Sequence, residues 1–482
     1  MDRVLDELHR ALDAWVPGAR ASVIGSTALG LPLEPTDDVD VVVAVPNDAR
    51  GTDAVVGFPA SLADALERRG WDRVVAVAAA RVPIVRATAP SERRVVDMQL
   101  LVLPRGDGWA DAAAPPPDGW FAMDFGGTEA LVEAAPAVCA LRMPELLLRP
   151  RDGERPPYTP IEFQAALVRL RAWARARRVY GAANGYPPGV AWALMLAHVM
   201  LAGAGGDPVL GVLRLVADTP WGNGGAVRLA TAACGDLPPW LPPTLPGIQQ
   251  PMAVLTPEFE QNTTTSVTFV HLEVLVDECR ATLAAAADGG AAEAWLERPP
   301  RPWFTGIVAV RPHPDTPAQL RLLIQARLPL VALQLYSSGL SIRPLGFGRS
   351  AACGSWLFGF APRSAASRVA ARTDQVLALL WRSAAFLRHK LVVDAQFADA
   401  LHLLPAFEAF APKGRWPAAV CSELGDAEGA ACRRQLAGQR RDKRARTDAV
   451  PQRGRLPVPA FGPRDDAGWA RLHHQQGPSQ GR

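Results

Sequence analysis

The chain has 482 residues, 49% of them hydrophobic, enough for about three domains with cores of their own. Its net charge of +3 hides an uneven distribution: residues 301–415 hold 14 Lys and Arg against 5 Asp and Glu, and residues 416–482 hold 12 against 7, so residues 1–300 are acidic on balance. No apolar run reaches the roughly 20 residues of a membrane span, which argues against a membrane partner, and the six cysteines lack any C-x-x-C pair, which argues against a structural zinc site and suits a reducing compartment.

The opening segment, MDRVLDELHRALDAW, predicts an amphipathic helix with Val4, Leu5, Leu8, Leu12 and Trp15 on one face rather than a signal peptide. ASVIGS then reads as a short strand leading into a turn at Gly25 and Ser26, followed by a helix. Asp38 and Asp40 open the strand DVDVVVAV. Residues i and i+2 of a strand project from the same face, so these two carboxylates stand together while Val39 points away. Two anions side by side repel unless a divalent cation lies between them, and an oxygen-rich pair suits Mg²⁺. A third carboxylate, Asp97, sits within the β-rich run RVVDMQLLVL. Taken alone, a D-x-D ahead of valines fits a turn carboxylate and a solvent-facing strand residue equally well. The Gly-Ser turn before it and Asp97 on its own strand favour a metal-holding site for phosphoryl transfer.

Further strands are expected in DRVVAVAAA and VPIVRA, and RPRDGERPPYTP marks a break rich in proline and charge. From Ile161 to about Glu297 the periodicity is helical: FQAALVRLRAWARARRVYG, GVAWALMLAHVMLAGAG, VLGVLRLVADT and VTFVHLEVLVDECRATLAAAA. After the linker ERPPRPW, strand-like TGIVAVRP, LPLVALQLYS, SIRPLGFG and GSWLFGFAP alternate with helical TPAQLRLLIQAR and the long run DQVLALLWRSAAFLRHKLVVDAQFADALHLL. That rhythm fits a small α+β sandwich of ferredoxin or RRM type. Beyond Trp416 the chain is polar and rich in Arg, Gly, Pro and Gln, and disorder is expected. An acidic, metal-binding front joined to a basic back suggests catalysis on a held polyanion.

With the motifs in order, the chain resembles the nuclear, eukaryotic-type poly(A) polymerases of the polymerase-β-like nucleotidyltransferase superfamily. GSTALG…DDVDVVVAVP is similar to the family's Gly-Ser turn and D-x-D strand, RVPIVR to its V-P-I-I-K segment, and Asp97 falls where its third carboxylate is expected. VRLRAWARARRVYGAANGYPPGVAWALMLAHV and PMAVLTPEFEQNTTTSVT are similar to its helical-domain segments. GSWLFGF and FLRHKLVVDAQFADALHLLP resemble the closing segments of its RNA-binding domain. The resemblance, which runs with gaps from about residue 20 to about 412, implies an α+β multidomain fold. A nucleotidyltransferase catalytic domain is expected at 1–150, a helical central domain at 156–298, an RRM-like RNA-binding domain at 301–415 and a disordered basic tail at 416–482.

The resemblance also implies roles. Asp38, Asp40 and Asp97 would hold two Mg²⁺ ions, with Mn²⁺ able to substitute. Gly25 and Ser26 would cradle the triphosphate, Arg86 and Arg171 fall at phosphate-contacting lysines, and Tyr180 falls at the Tyr that follows. Val82, Gly189 and Val190 fall where the family packs the adenosine. The implied reaction is template-independent transfer of AMP from ATP to an RNA 3′ end, releasing pyrophosphate, in mRNA polyadenylation. RNA-processing proteins would be partners, and the place would be the nucleus, or the cytoplasm if the source is viral. Both phosphate lysines are arginine here, the Asn expected two residues after the Tyr is Ala182 with Asn184 two places later, and the aromatic before Gly-Ser is Ile24. Read without the resemblance, Tyr180 and Val190 serve a core as well as a site, and Arg171 and Arg175, four apart on a helix, make a solvated stripe. RRQLAGQRRDKRAR (433–446) reads either as a bipartite nuclear localisation signal or as a nonspecific RNA-touching segment. The alternatives are a uridylyltransferase or an oligoadenylate synthetase on the same fold, or an inactive RNA-binding scaffold.

Overall fold

The computed structural model describes residues 2–288, apart from 32–37, 51, 79–81, 106–115, 117–122, 125–127, 149–157, 204, 223–224, 230–249 and 258–260, together with the backbone of four later strands. Among the described residues no helix is long and apolar enough to cross a membrane.

Helix α1 (Asp2–Trp15) buries Val4, Leu8, Ala11, Leu12 and Trp15, a stripe with the helical period expected of its sequence. Strand β1 (Arg20–Val23) leads through the one-turn helix α2 (Gly25–Ala28) to β2 (Val39–Val45). Short helices α3 (Asp53–Val56) and α4 (Ala60–Arg68) precede β3 (Asp72–Val77), β4 (Ile84–Thr88) and β5 (Val95–Val102). The five strands form one mixed sheet in the order β1-β2-β5-β4-β3. Only the central β2–β5 pair is parallel; the other neighbours run antiparallel.

Alternation along the central strands separates two faces. Val39, Val41, Val43 and Val45 of β2, Val96 and Met98 of β5, and Val85 and Ala87 of β4 join one core with α1 and α4. Val42 and Ala44 of β2 and Leu101 of β5 pack on the opposite face against residues 134–139 of helix α5 (Thr128–Leu148). Asp40 shares the strand parity of Val42, and Asp97 that of Leu101, so both carboxylates lie on the α5 face. With both faces covered, β2 is a nearly continuous apolar run, and Asp40 interrupts it.

Helix α5 was not legible in the sequence. Pro136 and Pro144 both fall inside it, and interior proline ordinarily reads as a break. Its first part belongs to the core under the sheet, whereas Met143 and Leu147 belong to the core of the helical region. That second core is built by α6 (Pro160–Ala176), α7 (Gly189–Leu201), α8 (Pro208–Asp218) and α9 (Phe269–Ala287). Helix α6 starts on a capping box, with Thr159 and Glu162 bonding reciprocally and Pro160 in the first turn. Trp173 and Trp192, both fully buried, meet edge to face at 6.0 Å between α6 and α7.

Beyond residue 300 the described backbone comprises β6 (Gly306–Arg311), β7 (Leu340–Phe347), β8 (Trp356–Pro362) and β9 (Ala406–Phe410). They form a four-stranded sheet in the order β7-β8-β6-β9, every pairing antiparallel, which is the strand order of a ferredoxin-like sheet. Strand β9 begins two residues after the expected helical run ends. The helices expected at 316–327 and 374–404, the strand expected at 328–337 and the basic tail at 416–482 lie outside the described residues.

Candidate active site

The sheet register sets the centre of the site. Asp40 of β2 lies opposite Asp97 of β5, and Asp97 lies opposite Arg86 of β4. Three ionisable side chains on three adjacent strands therefore form one row across the sheet, on the same face. Asp38 stands just before β2 and reaches this row through Arg86. The guanidinium binds Asp97 through Nε at 2.6 Å and Nη2 at 2.5 Å, and the same Nη2 lies 2.6 Å from Asp38 Oδ2. Arg86 thus faces the carboxylates of the row. The reason is electrostatic: cross-strand register puts a forked cation beside a carboxylate of matching geometry.

Charge crowding at this row is strong. Burial, and then the Asp38 and Asp97 charges, push the Asp40 carboxyl up to about 7, although Arg86 and Arg171 draw it down. Burial likewise raises Asp97, against the pull of its Arg86 hydrogen bonds. Burial alone would lower Arg86, but the Asp97 hydrogen bonds and charge outweigh it. Among the described residues no three acidic, His or Cys side chains close on one point as a finished metal cage. The donor set nonetheless fits a hard divalent cation: three carboxylates bring oxygen ligands alone, and Asp40 carries an ionisation penalty that a cation would relieve.

Gly25 supports Asp40 from the turn. Its φ is +63°, and a Cβ there would stand 2.7 Å from Asp40 Oδ2, so only glycine lets the turn close against the carboxylate. Ile24 N–H donates to the Asp40 carbonyl at 2.9 Å, tying the turn to β2. Gln164 of α6 donates to the Leu29 carbonyl at 2.9 Å, tying the same turn to the helical region.

Beside this row opens a cavity of about 440 Å³. From the sheet side it is lined by Ile24, Gly25, Ser26, Asp38, Asp40 and Val82, and from α6, α7 and their connection by Leu167, Arg171, Arg175, Tyr180, Gly189 and Val190. The expected site residues Gly25, Ser26, Asp38, Asp40, Val82, Arg171, Tyr180, Gly189 and Val190 therefore share one cavity; Asp97 and Arg86 stand behind it in the strand row. The helical run expected to continue through Tyr180 ends at Ala176, because Arg178 takes φ +59°. The extended segment after it folds Tyr180 back over the helix, with the guanidinium carbons of Arg171 and Arg175 at 6.0 and 5.2 Å from its ring centroid. The Tyr180 hydroxyl rests against Gly189, where a Cβ would come within 2.7 Å. Arg171 is buried, and its charge is felt at Asp40, which couples the helical wall to the carboxylate row. Ala182 and Asn184 sit on an exposed 3₁₀ turn away from the cavity, and the Asn184 amide donates to the Tyr180 carbonyl at 3.1 Å.

Two parts of the lining went unassigned in the sequence. Pro136, Cys139, Ala140 and Met143, one face of α5, form a wall of the cavity. Their i, i+3, i+4, i+7 spacing is the signal that the interior prolines obscured. The other part is Thr256, Gln261, Asn262 and Thr263. This polar loop is fixed by Asn262, whose amide donates to Gln250 Oε1 at 2.8 Å and the Met252 carbonyl at 2.9 Å, while its Oδ1 accepts from the Val254 and Thr264 backbones. The segment PMAVLTPEFEQNTTTSVT contributed to the resemblance, but no single residue in it stood out.

Two protein families match this chain. One, described as the central palm domain of mitochondrial-like poly(A) RNA polymerase, matches residues 1–100, and the other, the poly(A) polymerase central domain, matches residues 162–294. The first covers the Gly-Ser turn and all three aspartates, the second Arg171, Tyr180 and the polar loop. No curated protein sequence matches the chain. Among solved structures, the Cid1 poly(U) polymerase bound to MgATP is similar at 14% identity and a TM-score of 0.40, covering 62% of this chain and 92% of that one. The polymerase core of TRAMP, an RNA surveillance complex, is similar at 17% identity and a TM-score of 0.39, covering 62% and 84%.

Proposed function

We propose that this chain, whose residues 1–100 and 162–294 match domain families of poly(A) polymerases, transfers AMP from ATP to the 3′ end of RNA without a template. The observation that carries the reading is the shared cavity. It brings together the Gly25-Ser26 turn, Asp38 and Asp40 from the sheet region, the Arg171–Tyr180–Arg175 cluster from the helical region, and apolar Val82 and Val190. Such a space offers a carboxylate end for the reacting phosphorus, a cationic end for the β- and γ-phosphates, and an apolar wall for the base. The match of residues 162–294 to a poly(A) polymerase central domain supports the adenine preference.

Enzymes of this type use two divalent ions, Mg²⁺ or Mn²⁺. Held here by Asp38, Asp40 and Asp97, they would activate the primer hydroxyl and neutralise the departing pyrophosphate. The rest of the chemistry belongs to the chain. The primer 3′-oxygen gives up its proton to solvent and bonds to the α-phosphorus, while the bond from that phosphorus to the α–β bridging oxygen breaks and pyrophosphate leaves with that oxygen. Ser26 and the backbone of the Gly25 turn hold the triphosphate against the carboxylate row. Arg171 and Arg175, fixed over the Tyr180 ring, hold the leaving phosphates by charge-assisted hydrogen bonds. Thr256 and Gln261 present hydrogen-bonding groups to the cavity, and such groups discriminate between bases far better than apolar contacts do. The basic region 301–415 would hold the RNA backbone with little sequence preference.

The test is incorporation of each of the four nucleotides into an unstructured RNA primer with Mg²⁺. ATP is expected to be used in preference to UTP, CTP and GTP. A preference for UTP would replace this reading with uridylyl transfer on the same site.

A further inference from the structure

We propose that Arg86 is a built-in counter-cation that competes with divalent metal for Asp97 and Asp38. The inference rests on the metal-holding role given to these aspartates above.

The geometry leads there directly. Both Asp97 oxygens are engaged by one guanidinium, Oδ1 by Nε at 2.6 Å and Oδ2 by Nη2 at 2.5 Å. The same Nη2 takes Asp38 Oδ2 at 2.6 Å, so a single cation joins two of the three carboxylates. The Asp97 side chain is only 14% exposed, so its oxygens have little other solvent to turn towards. The guanidinium is anchored rather than incidental, because Arg86 lies opposite Asp97 in the β4–β5 register. An ion approaching Asp97 must therefore either displace the Arg86 fork or share oxygens with it while facing its charge.

Arginine is the residue that makes this competition strong. It offers planar, paired donors and keeps its charge at any working pH, whereas a lysine ammonium is a compact point charge that cannot span the two Asp97 oxygens and Asp38 at once. Arg86 also has somewhere to go. Its side chain is 32% exposed, so the fork can swing out when a stronger cation arrives. The consequence is a site that carries its own neutralising charge and that admits metal less readily than three bare carboxylates would.

Two other roles are separable from this one. A purely structural ion pair between β4 and β5 predicts that removing Arg86 leaves metal affinity unchanged or weaker. A phosphate contact predicts weaker nucleotide binding with no change in metal binding measured without nucleotide. Competition alone predicts tighter metal binding when Arg86 is removed. A single positive charge about 5 Å from a divalent ion, screened as in bulk water, corresponds to about a tenfold effect or more.

The experiment is a Mn²⁺ titration followed by electron paramagnetic resonance, on the full chain without nucleotide or RNA. It compares the wild type with Arg86→Gln, Arg86→Lys and Asp97→Asn. Arg86→Gln is expected to bind Mn²⁺ at least about tenfold more tightly, Arg86→Lys to fall between it and wild type, and Asp97→Asn to bind more weakly. Thermal melting gives a second readout. Without metal, Arg86→Gln is expected to melt lower than wild type, and saturating Mg²⁺ is expected to raise it by more. Equal or weaker Mn²⁺ affinity in a folded Arg86→Gln protein overturns the inference and leaves the polymerase reading standing. If that variant does not fold, the same result in Arg86→Lys decides the matter. Absence of Mn²⁺ binding in every variant overturns both.

Discussion

Gly25→Ala isolates how tightly the turn and the D-x-D strand must fit. The substitution has two effects. The first is backbone strain, because φ at this position is +63°; an alanine there costs about 1–2 kcal/mol. The stiffer unfolded chain returns about 0.4–1 kcal/mol of that, so the net loss of stability is about 1 kcal/mol. The second effect is displacement. The new methyl would stand 2.7 Å from Asp40 Oδ2, and ordinary contact begins near 3.4 Å, so carboxylate or turn must give way by about 0.7 Å. A shift of that order in a reacting group costs about a hundredfold in rate. Gly203→Ala is the matched control: its φ is +65°, and a Cβ there would meet nothing within 4 Å. Primer extension with ATP and Mg²⁺ is read beside thermal melting for both variants. Both are expected to melt lower, by about 2–4 °C, whereas only Gly25→Ala is expected to lose about a hundredfold in extension rate. Extension by Gly25→Ala within a few-fold of wild type would refute the reasoning, since Asp40 would then not need its observed position.

Three further outcomes are expected. Asp97→Ala should lower extension by at least about a thousandfold, with RNA binding by filter retention unchanged. If Arg171 holds a phosphate as proposed, Arg171→Ala should raise KM for ATP by about ten- to a hundredfold, with a smaller rise for Arg175→Ala, whose side chain is exposed. His271 gives a pH dependence. Burial holds its imidazole down to about 3, against 6.5 when unfolded. A depressed folded value means stability that is complete above pH 6.5 and is lost as pH falls towards 3, by about 1.4 kcal/mol per pH unit in that window. Melting temperatures between pH 7 and 4 should fall more steeply for the wild type than for His271→Gln.

Part of the carboxylate row was legible because strands encode facing. Asp38 and Asp40 could be placed on one face from parity alone, whereas Asp97 joined them only through the resemblance, and its observed pairing with Asp40 follows once β2 and β5 are neighbours. That adjacency is a fact of topology, and nothing local to either strand specifies it. Arg86 shows the limit. Its residue type and strand were readable, but its pairing with Asp97 depended on the β4–β5 register. Tyr180 failed differently. The helical period carried through it, yet the left-handed Arg178 ends the helix and lets the ring fold back over Arg171 and Arg175.

The polar wall of the cavity was least legible, and the reason lies in how it is built. Thr256, Gln261, Asn262 and Thr263 belong to no helix or strand of any length, and their placement comes from hydrogen bonds that converge on Asn262. No periodicity can announce such a segment, since its order comes from tertiary partners and not from a repeating face. The carboxylate row sits instead on a sheet covered on both sides, where register leaves a side chain little freedom. On the proposed function, reaction and selection would then rest on different supports. A change in the strand row alters the environment of the α-phosphorus, which every nucleoside triphosphate presents identically, so it should slow all four nucleotides alike. A change in the Asn262-anchored loop would alter contacts that differ from base to base. An enzyme with the proposed activity would change its base preference through that one loop while its phosphoryl-transfer chemistry stayed fixed in the sheet.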